Sequence, residues 1–223
     1  MTDPGTAPDP GQPTGTDPPV IDLSAASGHR VAWDRPAWVV ASWRLCELLA
    51  VRNPFQPSSA IRAAVLRAFG ARIGSRVILR PGLRVQFPWK LRIGDRSWVG
   101  EDVWLHNQDQ LDIGSDVVLS QQSFVTTGSH AHRTDMGLRT RPVVIENGVW
   151  VTARCTVLAG TRLGRSALVL PASVVSGTVP AGVIVGQGRS AVIGPRFIPT
   201  RPGAPDDRGS TQPEQADRDR QHR

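Results

Sequence analysis

The sequence is poor in the residues that build disulfides and metal sites, and it has no long apolar run. Its two cysteines, Cys46 and Cys155, lie too far apart to indicate a disulfide framework or a paired-cysteine zinc site. No apolar segment approaches the length of a membrane span. Residues 1–19, rich in Pro and Asp, lack the basic and apolar regions of a secretory signal. These absences predict a reduced, cytoplasmic protein.

Lysine is almost absent, since Lys90 is the only one, and the formal net charge of +7 therefore comes from arginine. Arginines scattered singly along a chain are typical of a solvated surface, and the alternative is a site for an anionic partner. The sequence has no zinc-finger spacing, no aromatic-rich strand motif and no basic run followed by heptads. We therefore do not expect a nucleic-acid partner.

The two ends, 1–30 and 195–223, are predicted to be disordered tails because they contain too few apolar residues to offset the cost of ordering. Residues 31–70 are predicted to form a helical cap with helices at 37–51 and 58–70. We expect the apolar stripe of the first helix to pack against the rest of the fold. The alternative is contact with a membrane surface or another protein. The stripe consists of Trp38, Val39, Ser42, Leu45 and Leu49.

Beyond the cap, aliphatic residues recur at every sixth position. A six-residue period fits a short strand plus a corner, and three such units close one triangular coil of about eighteen residues. The pattern slips by two residues between Leu111 and Ile113. It resembles an all-β fold, the left-handed parallel β-helix, with about seven coils within 71–194. The clearest series is Ile145, Val151, Val157, Leu163, Val169 and Val175.

The repeat stops at 129–142, and His130 and His132 lie at the start of this interruption. The interior of a triangular β-helix is filled by its own aliphatic side chains, so a site has to lie outside it, on loops or between neighbouring prisms. Histidine, with an ordinary pKa near 6.5, suits the role of a general base at neutral pH. The interruption is therefore the first candidate site, with His130 favoured and His132 expected to be solvated.

The chain resembles the hexapeptide-repeat acyltransferases, and within them the O-acetyltransferases of colanic acid biosynthesis. The resemblance implies a homotrimer with acetyl-CoA in a groove between subunits, and acetyl transfer to a hydroxyl of a glycan or glycan precursor. It is carried by FGARIG (69–74), FPWKLRIGD (87–95), SWVGEDVWLHN (97–107), LDIGSDVVLSQ (111–121), TTGSH (126–130), PVVIENGVWV (142–151) and VLAGTRLG (157–164).

The resemblance also implies roles for individual residues. His130 matches the catalytic base, and Asn107 matches an asparagine that contacts the acceptor or the reaction centre. The family's last segment reads GQGRSAVIG (186–194) here, and its usual lysine is replaced by Gly177, so Arg189 is the candidate for the missing charge at acetyl-CoA. The residues that would line the CoA groove by position are Ala153, Gly160, Ala172 and Ser173.

Three further positions need an interpretation. Ala131 stands where the family often has an aspartate beside its histidine, so Asp135 is the candidate for orienting the imidazole. Cys155 occupies a small-residue position of the repeat and is expected to point inward rather than to react. Trp104 is expected to be a packed aromatic side chain on a face of the repeat, the alternative being a place in the acceptor groove.

Rival functions are also open. A zinc enzyme on this fold, such as a γ-type carbonic anhydrase, needs three converging histidines. His106 and His130 are 24 residues apart, not a multiple of eighteen, so we expect them on different faces and expect no metal. A hydrolase would use Ser129 with His130, an unfavourable pairing of adjacent residues. The remaining alternatives are a non-catalytic scaffold or binding module and an acetyltransferase for a small non-glycan hydroxyl compound. Peripheral association with a membrane or with a glycan-assembly complex is also open.

Overall fold

A computed structural model describes residues 20–25 and 32–186. The predicted N-terminal tail, 1–30, lies outside the described residues except for 20–25. The segment from 187 onward, with Arg189 and the predicted C-terminal tail, lies wholly outside them. A short 3-10 helix spans Leu23–Ala25. Helix α1 (Ala37–Cys46) continues into one π-helical stretch (Glu47–Val51), and α2 spans Ser59–Ala68.

Short parallel strands form most of the described chain. Every third strand belongs to the same sheet, so three consecutive strands complete one turn of a left-handed parallel β-helix. The described strands are, in chain order, β1 (Arg72–Ile73), β2 (Ile78–Leu79), β3 (Arg84–Val85), β4 (Leu91–Ile93), β5 (Trp98–Val99), β6 (Trp104–His106), β7 (Leu111–Ile113), β8 (Val118–Leu119), β9 (Phe124–Thr126), β10 (Gly128–His130), β11 (Leu138–Thr140), β12 (Val143–Ile145), β13 (Trp150–Val151), β14 (Thr156–Val157), β15 (Arg162–Leu163), β16 (Leu168–Val169), β17 (Val174–Val175), β18 (Thr178–Val179) and β19 (Ile184–Val185).

The solenoid has three faces, each formed by one sheet. Face A contains β1, β4, β7, β12, β15 and β18; face B contains β2, β5, β8, β13, β16 and β19; face C contains β3, β6, β9, β14 and β17.

The length of a turn changes along the solenoid. Ile73 pairs with Ile93, twenty residues later, whereas Ile145 pairs with Leu163, eighteen residues later. The longer early turns hold extra residues in the corner between faces C and A, where Pro88–Lys90 forms a 3-10 turn. This corner explains the two-residue slip in the sequence, because Leu111 and Ile113 both lie in β7 and both are buried. The described residues contain about six turns, where about seven were predicted, and the sixth turn ends at β19 without a strand on face C.

The six-residue series correctly predicts the core. All six members from Ile145 to Val175 are buried, and Cys155 points inward with no exposed surface, as expected. Glycine is required where successive turns touch at a corner. A Cβ built on Gly94 would lie 2.5 Å from the Ser115 nitrogen, closer than a real side chain can approach backbone.

The helical cap covers the first turn. The Ser58 hydroxyl accepts a hydrogen bond from the Ile61 amide and starts α2, whose Ala63 and Leu66 join the solenoid core. Arg62, fully buried, ties the cap to the solenoid: Nε donates to the Val51 carbonyl at 3.0 Å, and the guanidinium also reaches the carbonyls of Asn53, Gln56 and Leu79. The end of the β-helix is therefore closed by the helices.

The orientation of the first helix differs from the prediction. Its buried side consists of Val40, Trp43, Glu47 and Val51, whereas Trp38, Leu45 and Leu49 of the predicted core stripe are exposed. Two hydrogen bonds hold this side of the helix inward. The Trp43 indole donates to the Val85 carbonyl at 3.0 Å, and Glu47 Oε1 accepts from the Val85 amide at 2.7 Å. In the part of the chain that the structure describes, no helix is long and apolar enough to cross a membrane.

Candidate active site

The interruption of the repeat is an antiparallel hairpin, β10–β11, inserted between β9 of face C and β12 of face A. Its register pairs Gly128 with Thr140 and His130 with Leu138. Ser129 and His130 are exposed and are consecutive in one strand, so their side chains leave on opposite sides. This arrangement disfavours a serine–histidine pair, and it presents His130 on the outside of the prism.

The hairpin turn itself orients His130. Its Nδ1 lies 2.9 Å from the main-chain oxygen of Met136. A carbonyl oxygen only accepts hydrogen bonds, so Nδ1 of the neutral ring carries the proton and Nε2 keeps its lone pair. The orienting group that Ala131 does not supply is therefore a backbone carbonyl, and not the predicted Asp135.

Asp135 acts one step further away by holding the turn together. Its Oδ1 accepts hydrogen bonds from the Gly137 amide at 2.9 Å and the Thr134 hydroxyl at 3.2 Å. These two hydrogen bonds hold the pKa of Asp135 below its usual value. Met136, which lies between Asp135 and Gly137 in the chain, has φ of +55°, a left-handed conformation that is unfavourable for a residue with a side chain. Asp135 thus stabilises the turn that directs the Met136 carbonyl to His130.

A second histidine lies beside the first. His106 pairs with Thr126 across β6 and β9, and its Nδ1 is 3.1 Å from the Thr126 hydroxyl. Burial, the Arg44 guanidinium and the charge of His130 together lower the pKa of His106 below its ordinary value. His106 lies on face C, whereas His130 lies on the inserted hairpin and on none of the three faces. The prediction of different faces assumed turns of about eighteen residues, whereas this turn has twenty and the hairpin starts at its end.

Aromatic rings surround His106 on the outside of face C. The Trp104 and Phe124 rings are 5.0 Å apart, and the Trp104 and His106 rings are 5.5 Å apart. The guanidinium carbon of Arg84 lies 5.7 Å from the Trp104 ring centre. Trp104 packs against its neighbours as expected, yet it remains 40% exposed. A polar and aromatic surface thus adjoins His130 on the N-terminal side of the hairpin.

Asn107 lies near this surface but points inward. It is fully buried, its Nδ2 donates to the Phe87 carbonyl at 2.7 Å, and its Oδ1 accepts from the Phe87 amide at 3.2 Å. Both ends of the amide therefore bridge two corners of the solenoid. Because the amide has no surface that an acceptor could reach, the geometry gives Asn107 a structural role rather than the predicted catalytic one.

The four described residues matched to the CoA groove lie on two corners. Ala153, Ala172 and the buried Ser173 follow face B, with the Ala172 amide 3.0 Å from the Ala153 carbonyl. Gly160 lies on the other corner, together with the hairpin. A Cβ on Gly160 would come within 3.1 Å of Arg141 Cδ, so the Arg141 side chain lies directly over this glycine. The two corners flank face C, and the predicted Arg189 lies outside the described residues.

A depression of about 700 Å³ lies on face A of the single chain. It is lined by Arg72, Arg92, Arg162 and their neighbours, and His130 is not among its lining residues. Within residues 20–25 and 32–186, no group of three or more His, Cys, Asp or Glu side chains is placed to hold a metal ion. The chemistry-bearing residues cluster at the hairpin, and we take that cluster rather than the depression as the candidate site.

The chain is similar in sequence to known proteins. The colanic acid biosynthesis acetyltransferase WcaF of Escherichia coli (strain K12), as it is named, is 38% identical over 133 residues, which span 59% of this chain and 72% of WcaF. No family model matches the chain. The chain belongs to the WcaF-type hexapeptide-repeat acetyltransferases.

Solved structures agree on the fold of this acetyltransferase. The hexapeptide-repeat acetyltransferase VCA0836 of Vibrio cholerae superposes with a TM-score of 0.62 at 23% identity, covering 67% of this chain and 86% of its own. A second structure of VCA0836, in complex with acetyl coenzyme A, gives a TM-score of 0.59 at 23% identity, with 67% and 81% covered. At this identity the likeness shows the fold alone.

Four features of the acetyltransferase site could not be found from the repeat pattern as interpreted. They are the Met136 carbonyl, His106, the approach of Arg44 from the cap, and Arg141 over Gly160. A signal did exist for His106, because the slip between Leu111 and Ile113 indicates a turn of twenty residues and so aligns His106 with Thr126. The Met136 carbonyl has no side-chain signature and could be found only from coordinates.

Proposed function

We propose that the protein is an O-acetyltransferase that moves the acetyl group of acetyl-CoA to a hydroxyl of a glycan or glycan precursor, in the biosynthesis of a surface polysaccharide. The observation that carries the proposal is His130, exposed on an inserted hairpin with its Nδ1 hydrogen fixed on the Met136 carbonyl and its Nε2 available as a base. Membership of the WcaF-type family supports the same chemistry. Two free cysteines fit a reducing, cytoplasmic setting.

The reaction needs one proton to move twice. His130 Nε2 takes the proton of the acceptor hydroxyl as its oxygen attacks the thioester carbonyl carbon. The C–S bond then breaks, and the imidazolium returns the proton to the departing CoA thiolate. Backbone amides at the corner can stabilise the oxyanion that forms between these two steps. The hydrogen bond to Met136 keeps the ring in the required tautomer throughout.

The aromatic surface on face C suits a sugar acceptor. Trp104, Phe124 and His106 offer ring faces and edges beside His130, and the C–H groups of a pyranose pack well on the negative face of an aromatic ring. Arg84 over Trp104 adds a positive charge that favours an acidic sugar or a phosphorylated precursor. The lowered pKa of His106 keeps that ring neutral near pH 7. Because its Nδ1 is paired with the Thr126 hydroxyl, its Nε2 is the nitrogen that can form a hydrogen bond with an acceptor hydroxyl.

Acetyl-CoA is proposed to lie on the opposite, C-terminal side of the hairpin, along the corners of Gly160 and of Ala153, Ala172 and Ser173. Gly177, one turn beyond Gly160, leaves open space, since nothing lies within 4 Å of a Cβ built there. Arg141 follows the hairpin and lies over Gly160 with no carboxylate within 4 Å among the described residues. We assign it the contact with a CoA phosphate, alongside the role proposed for Arg189.

A homotrimer is part of the proposal, and the outer surface of face B supports it. Its outward residues are apolar on every described strand and stack in register along the whole solenoid. An exposed apolar column of this length is typical of a subunit interface. A second copy of the chain would bury it and would lie beside the corner of Ala153, Ala172 and Ser173, which joins faces B and C. The column is Ile78, Trp98, Val118, Trp150, Leu168 and Ile184.

The test is thiol release from acetyl-CoA with a panel of sugars, for wild type, His130→Ala and His132→Ala. His132 is the matched control because it is an exposed histidine two residues away. Loss of a general base lowers kcat by about 10²–10⁴-fold, so His130→Ala should show that loss and His132→Ala should stay within about twofold of wild type. Equal sugar-dependent thiol release by wild type and His130→Ala would reject the assignment.

A further inference from the structure

The outer side of the first cap helix is an apolar surface that neither the fold nor the proposed reaction uses. Along Ala37–Val51, Trp38 is 71%, Leu45 58%, Leu48 56% and Leu49 60% exposed. Their spacing of three, four and seven residues places them on one stripe of the helix. Phe55, just beyond the helix, is 92% exposed. We call the four helix residues the outer stripe.

The outer stripe is held outward by the contacts on the other side of the helix. Trp43 packs against Phe69 with ring centres 5.3 Å apart and donates to the Val85 carbonyl, and Glu47 accepts from the Val85 amide. Rotating the helix to bury the outer stripe would break these buried hydrogen bonds and bury Arg44 or Arg52 instead. The exposure is therefore a property of the fold, and an exposed apolar surface of this kind is typical of an interaction site.

The charges beside the outer stripe indicate what that occupant is. The only acidic residue between 35 and 58 is Glu47, whose carboxylate is turned inward and pairs with Arg44 at 3.0 Å. Arg35 precedes the helix and Arg52 follows it, and neither has a carboxylate within 4 Å in the part of the chain described. Two acids, Glu101 and Asp102, share a hollow with Arg52, and Glu101 is paired with Arg80.

We propose that the outer stripe docks the protein on the surface of an anionic lipid bilayer. An amphipathic helix with Trp and Leu on one side and arginines at its ends lies in the plane of a membrane, its apolar side among the acyl chains and its cations at the headgroups. A span of this length is too short to cross the roughly 30 Å hydrocarbon core. A second copy of the chain is the less suitable occupant, because the apolar column of face B already provides a surface for it.

The location has a consequence for the proposed reaction, although the docking does not rest on it. The same helix carries Arg44, whose charge reaches His106 beside His130. The cap therefore links the outer stripe to the acceptor side of the hairpin. Docking would hold that side near the membrane, where an acceptor attached to a lipid could be reached.

The test is flotation of the full-length protein with extruded vesicles of phosphatidylcholine and phosphatidylglycerol in a 7:3 ratio. Wild type should float, and Leu45→Gln/Leu49→Gln should partition at least about tenfold more weakly, because two apolar side chains leave the bilayer. Arg35→Gln/Arg52→Gln should weaken binding to these vesicles but not to pure phosphatidylcholine. Leu170→Gln/Val174→Gln, which alters exposed apolar residues of the solenoid, is the control and should float like wild type.

Light scattering after gel filtration and far-UV circular dichroism accompany each variant. Absence of wild-type flotation, or equal flotation of wild type and Leu45→Gln/Leu49→Gln, would overturn the proposal. If that variant changed the mass of the oligomer while wild type ignored vesicles, the outer stripe would be a contact between copies of the chain. Thiol release measured without vesicles separates this result from the transferase assignment, because a failure of docking leaves it unchanged.

Discussion

Arg141 provides a direct test of where acetyl-CoA lies. Its side chain crosses Gly160, within 3.1 Å of the point where a Cβ would stand. A hydrogen bond to a charged group contributes about 1.5–3 kcal/mol, and exposure to water reduces this to about 1 kcal/mol. With 1.4 kcal/mol per factor of ten, Arg141→Met should raise the KM for acetyl-CoA about five- to tenfold. The value of kcat should change by less than about twofold, since the contact is equal in ground and transition states.

The assay is initial-rate thiol release at varied acetyl-CoA and saturating acceptor. Arg139→Met is the matched control, because Arg139 is an exposed arginine of β11, two residues before Arg141, and pairs with Ser129. Gly160→Ala should also raise KM, since the new methyl group displaces Arg141, and it should add little to Arg141→Met in the double variant. A KM unchanged by Arg141→Met, or raised equally by Arg139→Met, would refute the assignment of Arg141 to the CoA phosphates.

Three further predictions concern the hairpin and its neighbours. Asp135→Ala should lower kcat about three- to tenfold with little change in either KM, because the turn no longer directs the Met136 carbonyl to His130; Asp135→Asn, which keeps the acceptor oxygen, should recover most of the rate. Asn107→Ala should lower the free energy of unfolding by about 2–4 kcal/mol, since two polar groups of Phe87 lose their buried partner. A large loss of kcat with an unchanged free energy of unfolding would instead support a catalytic role for Asn107. His106 has a lowered pKa in the folded protein, so its contribution to stability is complete above the unfolded value near 6.5 and is lost as pH falls through the folded pKa. Melting temperatures at pH 7.5 and 5.5 should therefore differ more for wild type than for His106→Asn, and an equal difference would contradict this account.

The fold could be predicted because its physical cause is local and repeated. Each core position of the solenoid is an aliphatic residue at a fixed interval, so the buried set from Ile145 to Val175 follows from the sequence alone. The cap helix could not be oriented in the same way. Its two sides are both apolar, and the buried side was decided by Trp43 and Glu47, whose hydrogen bonds to Val85 depend on a strand 38 residues or more away.

The candidate site was predictable only where a side chain would carry out the proposed chemistry. The break in the repeat pointed to His130 as the candidate base, but the group that orients it is the Met136 carbonyl, and the identity of a residue does not reveal where its backbone oxygen lies. Asn107 misled for the opposite reason, since an asparagine at a corner serves equally well to bridge main-chain groups of the adjacent turn. The position of Asn107 in the motif could not distinguish a contact with the acceptor from a structural bridge. Its complete burial in the structure indicates the structural bridge.

The three faces of the solenoid have different outward residues, and this difference organises the molecule. Face B presents only apolar outward side chains, face A is rich in arginine and acidic partners, and face C combines rings with Arg84. Because the interior cannot hold a substrate, every contact with a substrate or another subunit has to be made by the outside of a face or by a loop. The hairpin leaves the corner between C and A, so His130 stands between the proposed acceptor surface and the corner of Gly160. The twenty-residue turn from β6 to β9 sets His106 opposite Thr126, four residues before His130.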